Sequence, residues 1–250
     1  MTPRLAFALD AAHRAGRRTL AHFQTGAPIE YKQDGSPLTR ADTEAEREIR
    51  DLISQEYPRD DVLGEEEGGR LEGGTGWVID PIDGTKSFVC GVPLYATLLS
   101  FEESGEPLVA VCYLPALGEV VYAEKGAGAF WNGRPCRVSK VRSMEEATLS
   151  CGSHASMDAQ GRAQGLAQLA QVCRATRTWT DAYGHALVVT GRIEAMIDPV
   201  VRPWDISSMR LIVEEAGGRC TDFRGGRPPG SEAISSNGLL HSLIIEAFAS

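Results

Sequence analysis

Three short acidic segments carry the residue types that hold a hard cation. The first is Gly64-Glu65-Glu66-Glu67-Gly68-Gly69, the second Trp77-Val78-Ile79-Asp80-Pro81-Ile82-Asp83-Gly84-Thr85, and the third Trp204-Asp205 ahead of a helical pattern. Magnesium takes oxygen donors in octahedral array and is completed by water and substrate phosphate. Two or three such ions need carboxylates from separate segments, and Glu65, Asp80, Asp83 and Asp205 supply them, with the backbone carbonyl of Ile82 as a further donor. Each segment alone also has a plainer reading. A glutamate run before glycines is a solvated loop, Asp83-Gly84 is a turn that Asp80 caps, and Asp205 is a helix N-cap. Together they point to phosphate-ester hydrolysis, in which one ion activates water and another stabilises the leaving oxygen. The amides of a helix beginning at Gly84-Thr85 would hold the phosphate.

These side chains need elements to carry them. Leu5, Leu9, Ala12, Gly16 and Leu20 recur near helical spacing and predict a helix from Pro3 to Gln24, ended by Gly26-Ala27-Pro28. Asp34-Gly35 and Ser36-Pro37 mark a polar loop. A second helix is predicted from Ala41 to Tyr57, with Glu46, Arg47, Glu48 and Arg50 on a solvated face and Ile49, Leu52 and Ile53 turned inward. Strands are predicted at 77–79, 96–101, 108–113 and 120–124, with a hairpin turn at Asn132-Gly133. The strand at 77–79 runs into Asp80, Pro81 fixes the backbone, and Asp83-Gly84 turns it. Both carboxylates then sit at a strand's C-terminal end, where α/β folds place their ligands. From about residue 148, strand and helix alternate, with helices predicted at 161–172, 182–190 and 206–215. This order predicts an α/β protein with an α+β N-terminal half joined to an α/β C-terminal half.

The 250 residues are 42% hydrophobic and 24% charged, an ordinary globular balance. A net charge of -9 without a basic stripe argues against nucleic acid as a partner. A phosphorylated substrate stays compatible, because bound cations invert the local field. No stretch reaches membrane-spanning length, and the arginine-bearing N-terminal pattern lacks the apolar core of a signal peptide, so the expected location is cytoplasmic. The six cysteines show neither a C-x-x-C pair nor zinc spacing, which fits buried thiols in a reducing compartment.

Taken in order across nearly the whole chain, Gly64-Glu65-Glu66, the run Asp80 to Thr85 with Phe88, Gly91 and Pro93, and Trp204-Asp205 with Glu215-Ala216-Gly217-Gly218 resemble the inositol monophosphatase family. The resemblance implies a five-layered αβαβα sandwich, magnesium dependence with two or three ions, inhibition by lithium, and a homodimer. Residue by residue, Glu65, Asp80, Asp83 and Asp205 match the family's metal-binding carboxylates and Ile82 its carbonyl ligand. Thr85 matches the threonine that orients the attacking water. Asp42, in Pro37-Leu38-Thr39-Arg40-Ala41-Asp42, matches the aspartate that pairs with that threonine and holds waters of the most weakly bound ion. Lys32 matches a lysine ahead of that motif, and Glu66 is a lesser candidate beside Glu65. Ser87 departs from the pattern, since the family usually has asparagine there. On this resemblance residues 1–140 carry most metal ligands and 141–250 carry Asp205 and the substrate-selective residues, in one catalytic unit.

A small phosphorylated metabolite is the expected partner, and selectivity must come from side chains beyond the phosphate. Two stretches approach that place, Trp179 to Gly184 and Asp198 to Pro203. Asp181 and Tyr183 look like the Asp-x-Tyr pattern of the histidinol-phosphate phosphatases within the family, where inositol phosphatases usually have small neutral residues. The phrase Ser235 to His241 is similar to that subgroup too. A substrate bearing an ammonium and an imidazole would gain charge-assisted hydrogen bonds from Asp181 and Asp198. Asp198 does not discriminate, because the matching position is acidic in inositol phosphatases as well. Asp181 as a cap for a helix starting at Ala182 is the plainer alternative. Inositol-1-phosphate, or sugar and nucleotide phosphates, are the alternative substrates. A non-catalytic regulator is disfavoured by retention of all these carboxylates with Thr85 and Asp42.

Overall fold

The first helix, α1 (Pro3–His22), begins where Thr2 accepts the amide N–H of Leu5 and proline stands in the first turn. The structure, a computed structural model, describes residues 1–26, 28–228 and 231–249. Ala27 of the predicted stop signal lies outside them. The second helix, α2 (Arg40–Glu56), opens on a reciprocal cap in which Thr39 accepts the amide of Ala41 and Asp42 accepts the amide of Thr39. Both helices bury an alanine- and isoleucine-rich stripe (Ala8, Ala11, Ala12 and Ala15 with Ala45, Ile49 and Ile53) against Trp77, Ile79, Leu99 and Val111. Small residues on α1 let the helix lie close to the sheet.

That sheet has eight strands, ordered Arg134–Cys136, Gly128–Trp131, Glu119–Glu124, Glu106–Leu114, Ala96–Glu103, Gly76–Asp83, Asp61–Gly64 and Gly68–Gly69. Its neighbours are antiparallel except Asp61–Gly64 beside Gly76–Asp83. Helix α3 (Thr85–Val89) follows the latter strand directly. The C-terminal part adds α4 (His154–Ala159), α5 (Ala163–Val172), α6 (Asp181–Val189), α7 (Pro203–Glu215) and α8 (His241–Glu246). They surround a five-stranded mixed sheet ordered Ala175–Arg177, Thr148–Cys151, Ala195–Asp198, Ala233–Ser236 and Arg219–Thr221.

Five layers result. Helices α1 and α2 cover the outer face of the first sheet, and α6 and α7 fill the space between the sheets. Met157 of α4, Leu166 and Leu169 of α5 and Ile244 of α8 cover the far face of the second sheet. Helix α7 is buried from Ile206 through Val213, as an inner helix must be when sheets press on both sides. The αβαβα sandwich is the expected one.

Several expected boundaries shift for local reasons. The strand expected to stop at Ile79 continues to Asp83 through an irregular register, and the helix expected from 206 starts at Pro203, so Asp205 is the third helical residue and not the N-cap. The hairpin at Asn132-Gly133 is present, both residues taking positive φ (48° and 78°). All six cysteines are unpaired. They are not uniformly buried, however, because Cys90 ends the short surface helix α3 and is exposed. The largest departure is Glu46, expected on a solvated face and found fully buried.

Because α7 is held from both sides, truncating Ile212, which has no exposed surface, leaves a void that neither sheet can close independently. Ile212→Ala is expected to lower unfolding stability by about 2–5 kcal/mol, read as a lower urea midpoint at unchanged slope.

Candidate active site

The strand Gly76–Asp83 solves a geometric problem. Successive side chains on a regular strand point to opposite faces, so residues three apart would diverge. The ladder with Ala96–Glu103 keeps register to Asp80 and slips between Asp80 and Asp83, and Pro81, which has no N–H to donate, occupies the slip. Asp80 and Asp83 thereby reach one cavity. Gly84 follows at φ 84°, a left-handed turn that glycine takes without strain, and α3 starts at Thr85.

Each aspartate is fixed through one oxygen by a backbone amide. Asp80 Oδ1 accepts from Ile82 N at 3.0 Å, Asp83 Oδ2 from Ala182 N at 2.5 Å, and Asp205 Oδ2 from Arg202 N at 2.7 Å. Carboxylate oxygens of Asp80, Asp83 and Asp205 lie within 4.8 Å of one another. Glu65 arrives from the neighbouring parallel strand, its amide donating to Ile79 O at 3.2 Å. Lys32 Nζ donates to Glu65 Oε1 and Glu66 Oε1, both at 2.8 Å. Thr85 Oγ1 stands 3.0 Å from Ile82 O and 3.5 Å from Asp42 Oδ1. The other oxygen of Asp42 takes the amide and hydroxyl of Thr39 at 2.7 and 2.6 Å.

A cavity of about 590 Å³ opens over this cluster, with Glu65, Asp80, Ile82, Asp83 and Asp205 in its wall beside Gly84 and Thr85. Lys32, Lys86 and Arg202 bring cationic side chains to it, and Asp34, Asp181, Val200 and Trp204 complete much of the lining. Lys86 and Asp34 had no signal beyond their nearness to the two motifs. Tyr183 and Asp198 are not part of the wall. Tyr183 follows Asp181 by two residues on a helix, which turns its ring into the apolar layer between the sheets. Asp198 ends its strand packed against Gly152.

Asp181 does not cap α6. Its own φ is 59°, its Oδ2 accepts from Thr180 Oγ1 at 2.7 Å, and the amide of Ala182 is taken by Asp83 instead. The histidines lie elsewhere: His185 bonds Ser235, and His241 bridges Thr221 and Ser236, both in buried positions of the C-terminal part.

Desolvation dominates the charge state. Burial, reinforced by mutual repulsion, pushes Asp80, Asp83 and Asp198 well above the usual carboxylate range. Burial also raises Asp205 to about 7, Glu66 to about 7 and Asp42 to about 6, and it raises Asp181 against the nearby hydroxyl of Thr180 and charge of Lys86. For Lys32 burial works against the charge, but the bonds to Glu65 and Glu66 outweigh it and hold the ammonium above its ordinary value. Among the described residues, Asp80, Asp83 and Asp205 have no cationic side chain within ion-pair distance. Converging hard oxygen donors, desolvated and short of positive charge, fit a divalent cation as the missing counter-charge.

A layered α/β sandwich with a carboxylate-walled cavity between its halves is the arrangement of a metal-dependent phosphatase. The chain matches the inositol monophosphatase family over residues 1–250 and belongs to that family. It is 39% identical to the histidinol-phosphatase of Chlorobaculum parvum, over 99% of this chain and 97% of the relative. It is 36% identical to the fructose-1,6-bisphosphatase/inositol-1-monophosphatase of Thermotoga maritima, over 97% of this chain and 94% of the relative. The solved structure of a Thermotoga maritima IMPase superposes with a TM-score of 0.91 at 34% identity, covering 98% of this chain and 96% of that one. The protein is therefore a phosphatase enzyme acting on a phosphorylated small molecule. No helix among the described residues is long and apolar enough to cross a membrane.

The raised carboxyl pKa values fix how stability depends on pH without metal. Between its ordinary and its raised pKa, a carboxyl binds more protons folded than unfolded, so rising pH destabilises the fold. His185 and His241, both lowered to about 4 by burial, act oppositely between about 4 and their ordinary value of 6.5. The unopposed window therefore lies above 6.5, where Asp205 and Glu66, each raised to about 7, still titrate. In EDTA the melting temperature should fall from pH 6.5 to 8, and saturating magnesium should restore it more at pH 8 than at 6.5. A melting temperature unaffected by magnesium at both pH values would rule out a cation as the counter-charge.

Proposed function

We propose that the protein is a magnesium-dependent phosphate monoesterase whose substrate is histidinol phosphate. Asp181 carries the substrate reading: its carboxylate lines the cavity while Asp83, not Asp181, satisfies the amide of Ala182 in the first turn of α6. A carboxylate free of a capping role and desolvated beside the phosphate site favours a cationic leaving group over a neutral polyol. The name of the Chlorobaculum parvum relative supports the same choice. Magnesium as the particular ion, two or three ions, sensitivity to lithium and a homodimer belong to this proposal on the strength of the family resemblance.

Glu65, Asp80, Asp83, Asp205 and the carbonyl of Ile82 are the residues that would hold the cations. When bound, the cations supply Lewis-acid neutralisation of the phosphate charge and lower the pKa of water. The remaining roles fall to the chain. Gly84 and Thr85, at the start of α3, bind the phosphate oxygens. Thr85 Oγ1 orients the attacking water, and Asp42, raised to about 6 and 3.5 Å away, takes up a proton relayed through that hydroxyl. Lys32 holds Glu65 and Glu66 together at the mouth. Asp181 binds the ammonium side of the substrate. Tyr183 supports it by packing the helix that presents Asp181, and Asp198, held against Gly152 outside the cavity wall, acts at most through the strand end it closes.

With magnesium present, kcat/KM for histidinol phosphate should far exceed that for inositol-1-phosphate. Asp181→Asn should cut the former by about 10–100-fold, the worth of a hydrogen bond to a charged group, and leave the latter nearly unchanged. Comparable efficiency on both esters would overturn the substrate, and unchanged turnover in both Asp80→Asn and Asp205→Asn would overturn the metal ligands.

A further inference from the structure

Glu65 differs from the aspartates around it. They sit at an ordered strand end or in a first helical turn, whereas Glu65 opens a glycine-flanked run, Gly64 to Gly69, whose own sequence offers little rigidity. Its position is nonetheless tightly determined, from a helix twenty residues upstream. Glu46 of α2 has no exposed surface, and its carboxylate takes the amides of Glu66 and Glu67 at 2.8 and 3.0 Å. Arg50, one turn on, donates Nε to Glu46 Oε1 at 2.8 Å and Nη2 to the carbonyl of Gly68 at 2.6 Å. The backbone after Glu65 is thus gripped at three successive residues by one ion pair of a buried Glu46 and a half-buried Arg50.

Gly64 completes the grip. A Cβ built there would stand 2.2 Å from Glu46 Oε1 and 2.8 Å from Arg50 Nη2, so only glycine lets the pair reach the turn. The pairing also cancels charge. Arg50 neutralises Glu46, so a buried carboxylate close to the acidic cavity adds no net repulsion to it.

We infer that Glu46 and Arg50 are positioning residues that aim Glu65 into the carboxylate cluster by clamping the backbone of residues 66–68. The inference rests on the metal-dependent reading of the cavity, and neither residue touches substrate or cation. Loss of such a supporting contact weakens metal binding by roughly 10–100-fold while leaving the ligands themselves intact.

The test is magnesium affinity of the purified full chain by calorimetry, with the magnesium dependence of kcat measured alongside. Glu46→Gln keeps the volume but turns an N–H donor toward one of the amides or Arg50. It should raise the magnesium dissociation constant at least about tenfold, with kcat at saturating magnesium within a few-fold of wild type. Gly64→Ala, which removes no polar group, should reproduce that shift by displacing Glu46. Arg50→Lys, which keeps charge but loses the two-pronged donor, should fall between. A lowered melting temperature with unchanged magnesium affinity in the folded variants would overturn the inference, leaving the pair purely structural. Should Glu46→Gln fail to fold, Arg50→Lys and Gly64→Ala decide by the same measurement. A wild-type chain that binds no magnesium would remove the underlying reading, and this inference with it, before any variant is made.

Discussion

Electrostatic repulsion among desolvated carboxylates is the constraint around which this molecule is organised. Asp80, Asp83 and Asp205 approach within 4.8 Å of one another, and Glu65 adds its charge to theirs. Left to themselves, such groups would turn into solvent or take up protons. The fold prevents the first by giving each aspartate a backbone amide for one oxygen and holding the other toward the cavity. The second is what a cation relieves. Repulsion, burial and ion requirement are one fact seen from three sides.

The layers follow from that need. Strand Gly76–Asp83 brings two of the carboxylates, its parallel neighbour brings Glu65, and inner helix α7 brings Asp205 in its first turn. Asp42 and Asp205 use the same device, a third helical residue that bonds the amide of the capping residue. A capping box is ordinarily a way to start a helix. Here it also locks the side-chain rotamer of a residue whose second oxygen faces the site. A further carboxylate, Asp181, reaches the cavity separately, from α6, whose apolar faces are clamped between the sheets while its first residue lines the cavity.

The features legible in the sequence were the local ones. Asp80-Pro81-Ile82-Asp83-Gly84-Thr85 announces a broken strand and a helix start because proline and glycine impose their conformations without help from the rest of the chain. Asp205 was visible for the same reason, although Pro203 starts α7 earlier than the pattern suggested. Glu46 was illegible, since its place among the charges of α2 matches that of any solvated residue. What buries it is a turn at residues 66–68, a fact about tertiary contact that helical periodicity does not contain. Tyr183 illustrates the opposite case. Its nearness to Asp181 in sequence suggested a shared role, but two residues along a helix is more than half a turn, and its half-buried ring packs against the apolar layer between the sheets rather than lining the cavity.

The bond from Ala182 N to Asp83 Oδ2 links residues 99 apart. A contact of that span closes late, because the chain must lose the entropy of a long loop before gaining it. The nascent polypeptide can thus build its first sheet with Asp83 unanchored, and the site acquires its final form only when the second half has emerged and docked. An incomplete molecule, holding Asp80 and Asp83 but neither Asp205 nor α6, carries half a site and no means of closing it.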